Sequence, residues 1–496
     1  MLVGCGGGGG GSGSSSVKKT QYNFSFYSST TINQSQTSNA AYAKCVIYKT
    51  GTDSNGDAAY TVYTPASTSQ TNNDTVLGFY SNASGERVSD YISVSSGSLS
   101  FYIDDIPDNG FFTFQVVNEV GGSTIKAMSF SKEFLQQDSS FRTGKFGINR
   151  TSDSATSCVT SDNKRTTKTD SSTQYESNSA YPGGAMNYNF YSQIDSILNT
   201  PYQTLSSTRT LDSYSDENTF IVQYTDSARS EISQYGFSNW TVSSQAIEMA
   251  LADQDTGTIT LNTNMSLSDI PIEIISGNYA YSLLDRSTTS LTFMHPAELT
   301  DETWVFEVSD VDLPTNANWS ATYSSAVDTT SSQWDLVVDD ASLYTVTNLQ
   351  DQKPTVLTGD VIDLSGAIPL QSEIGMQRIA YRSNTSSVGT TYNVTHVLYS
   401  MLTEEVVAPE LYYYDYSSSV IDALKVSDSS AFSLSHLILE DIDDVSSSEF
   451  MSLFAVGSSN DLDAEITGLV VSEQQAEVNQ VQLKKVKSLM LSRLDD

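Results

Sequence analysis

The strongest constraint on this chain is a two-residue alternation of apolar and polar side chains that recurs in short runs along its length. The runs "YNFSFYS", "KCVIYKT", "AAYTVYTP", "VLGFYS", "LSFYIDDIP" and "FFTFQVVNE" follow one another through the first quarter of the sequence, separated by "DSNGD", "NASGE" and "PDNG". Successive side chains of a strand point to opposite faces, so each run presents one apolar face, and the Asn/Asp/Gly clusters between them supply turns. With 28 tyrosines and 19 phenylalanines the 496 residues hold enough apolar material for several cores. The expected fold is mainly β: two or three β-sandwich-like domains in tandem, ending in an α-helix.

Composition sets the boundaries of that expectation. Residues 1–20 form a leader and tether, and residues 21–135 a first β-sandwich. Residues 136–183 contain the nearly period-free "SDNKRTTKTDSS" and read as a loop or linker. A second β-rich block spans 184–353, with one short helix expected in "SSQAIEMALAD" on Ser244 as N-cap. The third block, 354–496, changes period only at its end. There "SEQQAEVNQVQLKKVKSLMLSRL", residues 472–494, pairs Ser472 with Gln475 as a capping box and gathers Lys484, Lys485, Lys487 and Arg493 toward the helix C-terminus. Such a helix would close the last core or dock a partner.

Leu2, Val3, Gly4 and Cys5 stand in the order of a lipobox, and the stretch resembles that of bacterial lipoproteins. The resemblance implies that Cys5 is acylated as the mature N-terminus and that the body is tethered to a membrane. Gly6 to Ser16 is entirely Gly and Ser. Together with the next few residues it gives a flexible spacer with a reach of roughly 20 Å. Only Met1 precedes Leu2, whereas the family carries a basic and apolar leader, so the chain as written is not expected to be exported or acylated. Gly6, where inner-membrane lipoproteins carry Asp, implies the outer membrane of a Gram-negative cell. With Cys5 lipidated, Cys45 and Cys158 remain and are expected to pair in an oxidising compartment, the alternative being two free thiols. The run "SGSLSFYIDDIPDNGFFTFQVVNEVGG" resembles the closing hairpin of prealbumin-like and carboxypeptidase regulatory-like modules.

The charge balance narrows the partners. Against 24 Lys and Arg stand 59 Asp and Glu, a formal net charge of −35 that repels nucleic acid. Nucleophile, phosphate-loop and zinc motifs are missing from the sequence. His295, His396 and His436 each lie in or beside an apolar run and read as structural histidines. The carboxylates Asp53 and Asp57 beside Asn55, and Glu440, Asp441, Asp443 and Asp444, do not match the calcium-loop spacing, so no metal and no cofactor is expected. In "LYYYDYSSS", read as a strand, Tyr412, Tyr414 and Tyr416 share one face and form a candidate binding ladder for a polysaccharide or protein. The expected function is that of a lipid-anchored outer-membrane lipoprotein with a non-enzymatic structural or adhesive surface role, the coating of a flagellar sheath being one such role. The alternatives are a surface hydrolase or glycan-processing enzyme with an unrecognised site, and a polysaccharide- or protein-binding module.

Overall fold

The alternating runs pair through their backbones into one long sheet and several small ones, and the long sheet draws strands from all three sequence blocks. The computed structural model describes residues 19–37, 47–52, 58–65, 74–94, 97–118, 123–137, 145–147, 170–180, 187–191, 196–201, 208–214, 219–224, 232–238, 246–251, 256–263, 272–276, 279–283, 290–294, 304–308, 319–327, 333–338, 352–368, 373–413, 416–439, 441–452, 454 and 488–494. Among these the protein is mainly β.

The strands of the long sheet are β1 (Asp74–Ser81), β2 (Ile92–Ser93), β3 (Phe111–Asn118), β4 (Ser123–Ser131), β5 (Ile272–Ser276) and β6 (Tyr279–Leu283). They continue with β7 (Trp304–Val308), β8 (Trp319–Val327), β9 (Ile374–Ser387), β10 (Thr390–Met401), β11 (Ala431–Leu439) and β12 (Ser488–Leu494). Their spatial order is β6-β5-β7-β8-β12-β11-β9-β10-β4-β3-β1-β2. The pair β10–β4 is parallel, from Tyr392 opposite Ser123 to Tyr399 opposite Phe130, and the other pairings are antiparallel.

Both faces of the central strands are covered. On one face lies a second sheet centred on the strand Gln21–Asn33, which pairs with Ala58–Pro65, Ser98–Tyr102 and Lys145–Gly147. Phe24 of that strand meets Phe101, Phe112, Phe114, Phe130 and Phe146 at ring-centroid distances of 4.9–6.2 Å. Gly78 makes room in this layer, since a Cβ there would stand 2.7 Å from Leu99 Cδ1. The short helix α1 (Lys132–Gln136) adds Phe134 and Leu135, with Ser131 Oγ accepting from the Phe134 N–H at 3.2 Å as N-cap. On the opposite face Ile379, Tyr381, Val394, Leu398 and Leu434 pack with Ile362, Val406 and with Val420 and Leu424 of the helix α2 (Ser418–Leu424). The layered, sandwich-like β character expected from the alternation is therefore present.

Several local expectations fail, each for a tertiary reason. Ser488–Leu494, placed in the C-terminal helix over 472–494, is instead β12, hydrogen-bonded between β8 and β11; the remainder of that helix lies outside the described residues. Two open strand edges outweigh capping signals and helix propensities worth a few tenths of a kcal/mol per residue. The helix expected after Ser244 is replaced by the short strands Ile247–Glu248 and Ala250–Leu251, paired to 175–176 and 234–235. The linker expected over 136–183 contains Lys145–Gly147 and Asp170–Glu176, both paired strands. Ser98–Tyr102 and β3, read together as a hairpin, lie in different sheets, so Ile106-Pro107 arches between the two layers. Cys5, Cys45, Cys158, His295, Asp53, Asn55, Asp57, Glu440 and Tyr414 lie outside the described residues.

Two measurements check this architecture. Phe24→Ala leaves a cavity among five rings, and urea unfolding is expected to show a loss of about 3–5 kcal/mol. At the tip of the β9–β10 hairpin, exposed Val388 has φ +50° ahead of Gly389 at φ +79°, a left-handed pair that a β-branched residue adopts poorly. Val388→Asn is expected to raise stability by about 1 kcal/mol in the same assay.

Candidate functional site

The strand period collects polar side chains on one buried face of the long sheet. Tyr381 on β9 stands directly opposite His396 on β10, and Thr113 on β3 directly opposite Ser129 on β4. The parallel seam sets Ser129 opposite Leu398, two residues from His396, so the hydroxyl and the imidazole meet diagonally on the same face. Ser129 Oγ lies 2.7 Å from His396 Nε2, Tyr381 Oη 3.0 Å from Nδ1, and Thr113 Oγ1 2.6 Å from Ser129 Oγ. Thr113, Ser129 and His396 are wholly buried and Tyr381 is 2% exposed.

Burial dictates the protonation of this chain of groups. Desolvation lowers the His396 pKa from 6.5 to about 3, so the ring is neutral at ordinary pH. Burial also raises the Tyr381 pKa well above 10, with Tyr413 and Asp360 adding to it, so the phenol keeps its proton. A neutral imidazole has one donor and one acceptor. One of the two flanking hydroxyls therefore donates to the ring and the other accepts from it.

Ser129 and His396 have the spacing of a nucleophile and its base, yet the group that orients the ring is a phenol, where a triad has a carboxylate. The hydroxyl is enclosed in the sheet interior, away from any arriving substrate. The arrangement satisfies four polar side chains in a dry layer and holds four strands in one register.

His436 differs. It is wholly buried on β11, its ring centroid is 5.9 Å from that of Trp319, and burial lowers its pKa to about 3. Neither ring nitrogen has a hydrogen-bond partner among the described residues. Its cross-strand neighbour Gln377 donates to Ser400 Oγ at 3.1 Å, while Gln377 Oε1 is also without a partner among them. Groups of three or more His, Cys, Asp or Glu able to hold a metal ion are absent among the described residues. Asp441, one of the carboxylates considered for calcium, instead accepts from the Asp443 N–H at 3.1 Å and caps a single 3₁₀ turn.

The tyrosine segment is not a strand where it is described. Leu411 and Tyr413 are buried, and burial pushes the Tyr413 pKa up, out of the physiological range. Tyr412 is half-buried, and its backbone is clamped by the buried Gln115 amide: Tyr412 N–H donates to Oε1 at 2.8 Å and Nε2 donates to the Tyr412 carbonyl at 2.9 Å. The Tyr412 and Tyr416 rings rest on different partners. Tyr412 meets Tyr91 at 4.8 Å, with the Arg87 guanidinium 4.3 Å from the far Tyr91 ring, whereas Tyr416 packs on Tyr392 at 5.0 Å.

Sequence reasoning passed over Thr113, Ser129, Tyr381, Gln115 and Gln377. In "FTFQVV" Thr113 and Gln115 hold the phase that a solvated face would also give them, so nothing local marks them as buried, whereas Gln377 in "GMQRIAYR" shares the phase of Ile379 and Tyr381 and carries a readable signal.

The two buried histidines give the fold an acid sensitivity. Each binds its proton near pH 6.5 when unfolded but only near pH 3 when folded, so stability is full above pH 6.5 and falls as pH drops toward 3. At pH 5 each histidine is expected to have removed about 2 kcal/mol relative to pH 7. Urea titrations at the two pH values measure it, and equal stabilities would refute it. His436→Leu is expected to remove half of that pH dependence and to leave pH 7 stability equal or higher, because it replaces polar atoms that have no partner among the described residues. His396→Leu is expected to lower it by about 1–3 kcal/mol, because Ser129 and Tyr381 lose their partner.

A scan against protein-family models and searches of curated proteins and of solved structures find no match to this chain, so the functional reading rests on its own residues.

Proposed function

We propose that this chain is a lipid-anchored protein of the bacterial cell envelope, held in the outer membrane through Cys5, whose β body has a non-enzymatic structural or adhesive role such as coating a flagellar sheath. The observation that carries the reading is the sequence Leu2-Val3-Gly4-Cys5 running directly into the Gly/Ser tether Gly6–Ser16. An acylated cysteine needs such a spacer to hold a folded body clear of the headgroups. The sealed, neutral setting of the Ser129–His396 pair supports a scaffold over the hydrolase alternative.

Mass spectrometry of the N-terminal peptide from native cells is expected to find a peptide beginning at acylated Cys5. Cys5→Ser in the native gene is expected to move the protein out of the membrane fraction. An unmodified N-terminus and an unchanged fraction would overturn the anchor.

A second reading, a binding module for polysaccharide or protein, is favoured by one feature. The Arg87–Tyr91–Tyr412 stack joins two aromatic rings and a cation where Arg87 is exposed and both tyrosines are half-buried. Tyr91→Ala together with Tyr412→Ala is expected to weaken adhesion of the purified protein to isolated outer membranes by about tenfold. Unchanged adhesion would remove this reading.

A further inference from the structure

We propose that β12 is exchangeable between copies: the slot between β8 and β11 accepts Ser488–Leu494 of a second molecule of this chain, so that copies are linked by strand exchange. The proposal does not depend on the lipid anchor.

The slot is a gap in the middle of the sheet. Within the order β6-β5-β7-β8-β12-β11-β9-β10-β4-β3-β1-β2, β8 and β11 do not touch as partners. β12 alone joins them, in register with β8 from Trp319–Arg493 to Ser324–Ser488 and with β11 from Ser433–Leu494 to Leu439–Ser488. Without β12 the sheet parts into a four-stranded and a seven-stranded piece, each presenting a row of unpaired N–H and C=O groups. An isolated β12 would be equally unpaired on both sides.

The slot is also selective. β11 is buried on both faces, with Leu434 and Ile438 in one core and Leu437 and Leu439 in the other. A strand entering beside it must bring apolar residues in both phases, as "SLMLSRL" does with Leu489, Leu491, Met490 and Leu494. A second copy carries that sequence by definition, and in trans it would form the same hydrogen bonds in the same register.

Connectivity leaves the donor open. Residues 455–487 separate Phe454 from β12. Their contour reaches at most about 120 Å at 3.3–3.6 Å per residue, well beyond the width of one sheet. Exchange replaces an intramolecular closure by an identical intermolecular one, so it is driven by concentration and costs little at equilibrium, although the strand must first leave both of its ladders.

Ser435 on β11 and Ser492 on β12 are register partners, which gives a direct test. The double variant Ser435→Cys, Ser492→Cys is prepared in ordinary and ¹⁵N-labelled form. The two are mixed at high concentration, oxidised and digested, and peptides joined through positions 435 and 492 are identified by mass. Strand exchange is expected to give linked peptides of mixed isotope, approaching half of the linked material and rising with protein concentration. Linked peptides of matched isotope only would overturn the proposal, and so would the absence of any 435–492 link. Should the variant fold poorly, native mass spectrometry of unmodified light and heavy chains reads the same exchange. Mixed dimers that grow with concentration are expected there, and monomers at every concentration would overturn it.

Discussion

The parallel pairing of β10 with β4 is the constraint on which the rest of the sheet depends. It sets Tyr392–Tyr399 against Ser123–Phe130, residues more than 260 positions apart. Closing so long a loop costs about 5 kcal/mol in chain entropy. That loss is offset only if the strands it brings together are buried on both sides, and they are. Phe130 faces the phenylalanine cluster around Phe24, and Ile125 and Val394 face the other core. The seam therefore requires both covering layers, and the layers require the seam.

Two-sided burial creates a second problem, which the polar network solves. Where one face of a strand is wet, the hydrophobic pattern fixes the register, because a one-residue slip would turn the apolar set outward. β9, β10 and β11 have no such wet face over most of their length. A slip would exchange one apolar core for another. The Thr113–Ser129–His396–Tyr381 chain removes that degeneracy, since any slip would leave buried hydroxyls and an imidazole unpaired at about 1–3 kcal/mol each. His436, with no such partner among the described residues, gains no register from hydrogen bonds to them. The two histidines look alike in sequence and differ only in what the neighbouring strand places beside them.

This explains what was legible beforehand. The period of two in "YNFSFYS" and "FFTFQVVNE" is a local property, and it correctly announces strands with a buried face. Which strands meet is a non-local property, and composition shifts near 136 and 354 carry no information about it, so strands of the first and third blocks share a sheet that a tandem-domain reading would divide. The end of the chain shows the same limit. "SLMLSRL" follows a lysine-rich run with helical signals, but its state is decided by β8 and β11, whose paired residues lie 49 or more positions away in sequence. For the site, His396 could be placed in an apolar strand from sequence alone, while Ser129 and Tyr381 became its partners only through the seam and the β9–β10 register.

Charge bears on how such a molecule could associate. A formal net charge of −35 makes broad face-to-face contact between copies unfavourable at low ionic strength, and screening within about 8–10 Å in physiological salt relieves only the more distant part. Backbone pairing inside a sheet is different. Its hydrogen bonds are between neutral groups, its register is set within one strand, and it needs no broad surface to approach another. An acidic surface and a sheet whose centre is closed by a single separable strand are therefore compatible: the charge opposes indiscriminate stacking of copies, and the slot between β8 and β11 admits one sequence in one register.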